Sequence, residues 1–218
     1  MLSDEQAEAC LQEMRAELEA STVSQLHARG ALTAEKVHQL VADGVKIDQM
    51  MDDRSRVNFF RSQVERGVAA GTGDFDAALL LDQLPADLEL DAKRTERIIR
   101  EVISDDKKRT LFVQCVSFLR QEDEAETLRS LNNLVACYKA RPGGPIKWLN
   151  QEERNSAFQL YASRAGDPAK VDALQAALGL EDADARRLRE LVGGGAGFSL
   201  KRAAGKDGVD GEELTLPF

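Results

Sequence analysis

Aromatic side chains are scarce: 8 Phe, 2 Tyr and 1 Trp make up 5% of 218 residues. A chain with so few large side chains buries a thin core rather than a deep one. Histidine is scarcer still. His27 and His38 stand alone, without the Cys or carboxylate neighbours at ligand spacing that a metal site requires. The three cysteines, Cys10, Cys115 and Cys137, are an odd number and far apart. That excludes a secreted disulfide framework and a zinc motif, and it points to a reducing compartment. Positive charge is in deficit, with 29 Lys and Arg against 38 Asp and Glu, net −9 and a pI near 4.9. An acidic chain lacks the positive field that holds nucleic acid or an anionic membrane. Apolar runs stop at five residues, as at Ala77–Leu81, so no segment reads as a membrane-spanning helix. The start, Met1-Leu2-Ser3-Asp4-Glu5, carries no signal-peptide pattern and reads as a fragment with a methionine added. Strand alternation of useful length is missing throughout.

What is present is helical periodicity from end to end. Ala7, Leu11, Met14 and Leu18 step by 4, 3 and 4, one stripe of an amphipathic helix capped by Ser3 with Gln6 and stopped at Gly30. Thr33 caps a short helix carrying Val37 and Leu40. Val57, Phe60, Val64 and Val68 form the next stripe, from a start at Asp52 or Asp53. Asp74 opens a short helix that Pro85 ends, and Asp91 caps a longer one with Ile98, Val102 and Ile103 facing inward. The stretch Ser104–Lys108 is polar all round and predicts a kink or water-facing turn. Leu111, Phe112, Cys115, Val116 and Leu119 then pair with a return stripe, Leu128, Leu131, Leu134, Val135 and Tyr138, across a tight connection at 121–124. After the break at Arg141-Pro142-Gly143-Gly144-Pro145, three short helices begin at Asn150, Asp167 and Asp182, the last with Ala185, Leu188 and Leu191 as its stripe. A leucine precedes a capping residue at Leu2-Ser3, Leu32-Thr33, Leu90-Asp91 and Leu149-Asn150, spaced 30, 58 and 59 residues apart. This favours stacked helix hairpins, an irregular and elongated solenoid. The expected organisation is a helical-repeat domain over 1–192, with a sub-boundary near 141–145, and a Gly-rich flexible tail over 193–218.

Chemistry is hard to find. Gly71-Thr72-Gly73 follows a helix and not a strand, so it reads as a C-cap followed by an N-cap rather than a dinucleotide fingerprint. The run Gly193–Gly197 lacks the lysine and hydroxyl of a phosphate loop. Asp207–Glu212 has the wrong spacing for an EF-hand. Cys115 sits on an apolar face as a buried small hydrophobe. Cys137, near Lys139 and Arg141, is the one candidate redox thiol, because nearby cations lower a thiol pKa. Its offset from Cys115 along the hairpin, roughly 10 Å, is too large for a disulfide. The expectation is a chain with no catalytic constellation, no cofactor and no metal, and not an enzyme.

From Gly71-Thr72-Gly73-Asp74-Phe75-Asp76, through Leu84-Pro85 and Asp87-Leu88, the sequence resembles the C-terminal region of the large Tic scaffold subunits of the chloroplast inner-envelope translocon. Leu119-Arg120-Gln121, Ser130-Leu131-Asn132-Asn133-Leu134-Val135-Ala136-Cys137, Leu174-Gln175, Leu178-Gly179-Leu180 and the terminal Phe218 continue the resemblance, collinear from about Leu2 to Val192. The resemblance implies an all-α, HEAT-like rod of stacked hairpins facing the stroma, with membrane anchors outside this region. It implies a non-enzymatic scaffold of protein import that binds preprotein transit peptides and docks stromal chaperones of the Hsp93 (Clp) and Cpn60 types beside other translocon subunits. It also implies thioredoxin-responsive thiols, of which Cys137 alone falls on a matching position. The rival readings are a chaperone-docking or self-assembly module, and a membrane-inserted channel segment. Single-striped helices and 31% charged residues speak against the last. An acidic surface would attract basic, hydroxyl-rich transit peptides with a marked salt dependence.

Overall fold

The computed structural model describes residues 14, 18, 21, 23–144 and 150–193. All regular structure among them is helical, the all-α class that the periodicity predicts. The chain divides into two compact units, Met1–Ala70 with Asp74–Ser104, and Gly71–Gly73 with Asp105–Phe218. The division falls in the polar stretch beginning at Ser104, whereas 141–144 lies inside the second unit.

In the first unit, local capping sets the helix starts. Thr33 accepts the Lys36 N–H at 3.3 Å to open α1 (Ala34–Ala42). After the single turn α2 (Ile47–Met50), Asp52 accepts the Ser55 N–H at 2.6 Å to open α3 (Asp53–Ala69). That bond holds the Asp52 carboxyl below the usual carboxylate range. Phe59, Phe60, Val64 and Val68 of α3 are buried.

The segment around Pro85 departs from expectation. The cap is Asp76, whose carboxylate accepts the Leu79 N–H at 2.9 Å. Ala78–Gln83 is a π-helical turn in which the Leu84 N–H bonds Leu79 O, five residues back. Then α4 (Leu84–Asp87) continues with Pro85 in its first turn. Helical backbone therefore runs through Pro85 rather than ending at it. The wider turn ahead of it makes room for the ring. Finally Asp91 accepts the Arg94 N–H at 2.8 Å to open α5 (Ala92–Val102). Arg94 of α5 reaches both Asp53 oxygens at 2.7 Å, tying α5 to the start of α3.

Before α1, Met14, Leu18, Ser21 and residues 23–28 are helical. Met14 and Leu18 do not face a core: they are 61% and 70% exposed, while Val23 is fully buried. Ala7 and Leu11, with the Ser3 cap, lie outside the described residues.

The second unit is built on a hairpin, α6 (Asp105–Arg120) and α7 (Glu124–Ala140), joined through Glu122 at φ 57°. Asp123 caps α7 by accepting the Glu126 N–H at 3.1 Å. Then come α8 (Gln151–Arg164), α9 (Pro168–Leu178) and α10 (Asp182–Gly193). Helix α9 packs on α7 and α10 packs on α8. Their shared core joins Phe112, Leu131, Leu134, Phe158, Tyr161 and Leu174. Each such side chain, when fully buried, contributes on the order of 1.5–3 kcal/mol. Two expectations fail here. Leu191 is 58% exposed, because α10 seats only Ala185 and Leu188 in the core. Lys108, in the stretch read as a kink or water-facing turn, is only 5% exposed, while the break between α5 and α6 does fall there, at Ile103 and Ser104.

The acidity is unevenly shared. The first unit has 12 basic and 20 acidic residues, net −8, and the second has 17 basic and 18 acidic, net −1.

Candidate functional site

Cys137, the thiol singled out in the sequence, is fully buried within α7. Burial pushes it up to about 11; Lys107 and Lys108 lower it only in part, so the expected activation by cations is not found. Cys115, also buried, is pushed up to about 12 by burial alone. Both are free thiols, and Cys10 lies outside the described residues. His27 sets its ring 6.2 Å from that of Phe59, and His38 pairs through Nδ1 with Asp87 Oδ2 at 2.9 Å. Among the described residues no three of His, Cys, Asp or Glu converge as metal ligands would.

Lys108 organises the end of α7. Its Nζ donates to Arg141 O at 2.6 Å and lies 4.4 Å from the centre of the Tyr138 ring, and Tyr138 Oη donates to Gly144 O at 3.0 Å. Desolvation lowers the Lys108 pKa below its ordinary value; the Arg141 charge lowers it further and Asp105 opposes the shift. The two bonds fix both ends of the 141–144 loop.

The densest polar construction surrounds Gly71-Thr72-Gly73, which the sequence presents as a plain helix-to-helix connection. Asn133 Oδ1 accepts the Gly71 N–H, and Asn132 Nδ2 donates to Gly71 O, each at 2.8 Å. Tyr161 Oη donates to Asn132 Oδ1 at 2.8 Å, and Lys170 Nζ donates to Thr72 O at 2.9 Å. The loop is therefore gripped from α7, α8 and α9 of the second unit, to which it belongs. Gly73, at φ +71°, is required: a Cβ there would stand 2.8 Å from Asn132 Oδ1 and 3.1 Å from Tyr161 Oη. A crevice of about 250 Å³ adjoins it, lined by Thr72, Asn132, Tyr161, Arg164 and Lys170 among others. These groups hold backbone and one another. They supply adhesion rather than a nucleophile, base or oxyanion pocket. One sequence signal was available: Asn132-Asn133 sits between Leu131 and Leu134 within a helical run, where asparagine is unfavourable without a partner elsewhere.

Comparison with known proteins gives the chain its relatives. Over 195 residues, 88% of the chain, it is 30% identical to Protein TIC110, chloroplastic, of Arabidopsis thaliana. Over 189 residues, 87% of the chain, it is 28% identical to the Pisum sativum protein of the same name. The chain is similar to a fragment of the large Tic subunit. It spans 19% of the length of either TIC110 protein. No protein-family model and no solved structure matches it. The TIC110 names place those relatives in the chloroplast. Among the described residues of the present chain, no helix is long and apolar enough to cross a membrane.

Proposed function

We propose that this chain is a scaffold segment of chloroplast protein import, without enzymatic activity. In this reading it faces the stroma at the inner envelope, binds incoming preproteins through their transit peptides, and docks Hsp93 (Clp)-type and Cpn60-type chaperones beside other translocon subunits. The observation that carries the reading is the similarity to TIC110 along 88% of the chain. Helices held by caps, ion pairs and backbone clamps, with the described thiols Cys115 and Cys137 both buried, support a role in holding partners.

The test is a titration of a labelled transit peptide into the purified chain at low and at physiological ionic strength. Saturable binding that weakens as salt rises is expected, since exposed charges are screened beyond about 8–10 Å at physiological salt. Absence of binding at both strengths removes the preprotein role. Chaperone capture by the same chain, without peptide binding, would leave the docking-module reading in its place.

A further inference from the structure

We infer that the groove between α9 and α10 is a docking site for a peptide segment of a partner protein that presents an acidic side chain. The inference goes beyond the import reading, because transit peptides are poor in acids. The groove holds about 610 Å³, within the range of about 300–1,000 Å³ typical of ligand sites. It opens where Gly179, at φ 63°, turns the chain from α9 into α10. Leu180, 7% exposed, gives it an apolar surface, and the small side chain of the exposed Ala176 keeps it wide.

The charges that line the groove are unequally spent. Arg189 Nη2 donates to Asp172 Oδ1 at 2.6 Å and to Gln175 Oε1 at 3.1 Å. Gln175 Nε2 in turn donates to Asp182 Oδ1 at 2.8 Å. Both carboxylates are thus engaged. Arg186 uses only its Nε, which donates to Asp182 O at 3.3 Å, and its Nη1 and Nη2 have no partner among the described residues. Arg189 lies 5.7 Å from the centre of the Phe158 ring and buries its Nε without a partner, so its charge is fixed in place and incompletely met. Two guanidiniums three positions apart on one helix are neighbours, and their forked N–H groups match a carboxylate. The two aspartates choose among anions. They repel a phosphate dianion or a polyanionic strand, yet their remaining oxygens accept from backbone N–H groups that flank a single carboxylate.

The experiment titrates end-capped Glu/Leu/Gly peptides, free of basic residues, into the full chain. The variants are Arg186→Gln, which removes the open guanidinium, and Ala176→Leu, which fills the groove and leaves its charges alone. Arg187→Gln is the control, an exposed arginine of α10 that does not line the groove. Expected are at least tenfold weaker binding for each of the first two and no change for the third. Melting should stay unchanged in all three, since each substituted side chain is exposed. Equal binding by Arg186→Gln and wild type overturns the site, as does a loss in Arg187→Gln as large as that in Arg186→Gln. Gln/Leu/Gly peptides that bind as tightly as the acidic set would also overturn it, because no carboxylate is then read. Displacement of the peptide by millimolar inorganic phosphate, dependent on Arg186, would assign the groove to phosphate groups instead. No binding of any acidic peptide to wild type removes the inference and leaves the import reading standing, since that reading is tested with a transit peptide.

Discussion

Replacing Gly73 by alanine probes the clamp around Gly71-Thr72-Gly73 most directly. The new Cβ would meet Asn132 Oδ1 at 2.8 Å and Tyr161 Oη at 3.1 Å, at a backbone φ of +71°. Holding alanine in the left-handed region costs about 1–2 kcal/mol. Moving Asn132 aside breaks its bonds to Tyr161 and to Gly71, at about 1 kcal/mol each. The total is about 3–4 kcal/mol. Gly71→Ala is the matched control: its φ is +79°, but the nearest atom is Cγ of Arg129, 3.2 Å away on a flexible side chain that can swing out. It should lose only the conformational part, about 1–2 kcal/mol. Thermal and urea melts followed by circular dichroism should therefore separate the two variants by roughly 5 °C, at about 2–4 °C per kcal/mol for a chain of this size. Tyr161→Phe adds a second check, costing about 1 kcal/mol in wild type and close to nothing once Gly73→Ala has broken the same bond. Equal melting of Gly73→Ala and Gly71→Ala, or full additivity with Tyr161→Phe, would refute the clamp as described.

Cys137, with its thiol near 11, should be roughly one-thousandth thiolate at pH 8. Site-resolved alkylation should therefore proceed only as fast as the second unit opens; prompt labelling of the native chain would contradict its burial. Lys108 carries a folded-state pKa below the ordinary 10.5, so the unfolded chain binds the extra proton. Its contribution to stability is fully present above 10.5 and is lost as pH falls through the folded value. The difference in stability between wild type and Lys108→Met should thus move in favour of wild type as pH rises through that window, and a flat difference would count against it. Asn150→Ala removes the acceptor for the Glu153 N–H, a 2.7 Å bond, and should cost about 1 kcal/mol in urea melts, with Asn150→Asp largely neutral.

Helix starts were legible because capping is written within three residues: Thr33, Asp91, Asn150 and Asp167 each accept the N–H that their spacing anticipates. The apolar stripes of α3, α6 and α7 were legible for the same local reason. Direction was not. Periodicity identifies a stripe but not what covers it, so Met14, Leu18 and Leu191 were read as core while the structure exposes them. Lys108 escaped notice because its partners, Arg141 O and the Tyr138 ring, come from 33 and 30 positions along the chain, and nothing adjacent announces them. Asp76 displaced Asp74 as a cap because the π-helical turn shifts the first helical position, a choice that local propensity does not encode. Gly71–Gly73 and Asn132-Asn133 lay in stretches that resemble the large Tic subunits, yet their meeting with each other, Tyr161 and Lys170 is a tertiary event.

The clamp also has a temporal consequence. Its bonds close chain loops of 61, 62 and 98 residues, and closing a loop of about 60 residues costs about 3–4 kcal/mol of chain entropy. Contacts so distant in sequence become favourable only after α7, α8 and α9 have packed, so they form late on the folding route. Substitutions at Gly73, Asn132 or Tyr161 should then leave refolding rates nearly unchanged and accelerate unfolding. Three residues borrowed from the first half of the chain thereby set how long the second unit survives, and hardly at all how fast it is reached.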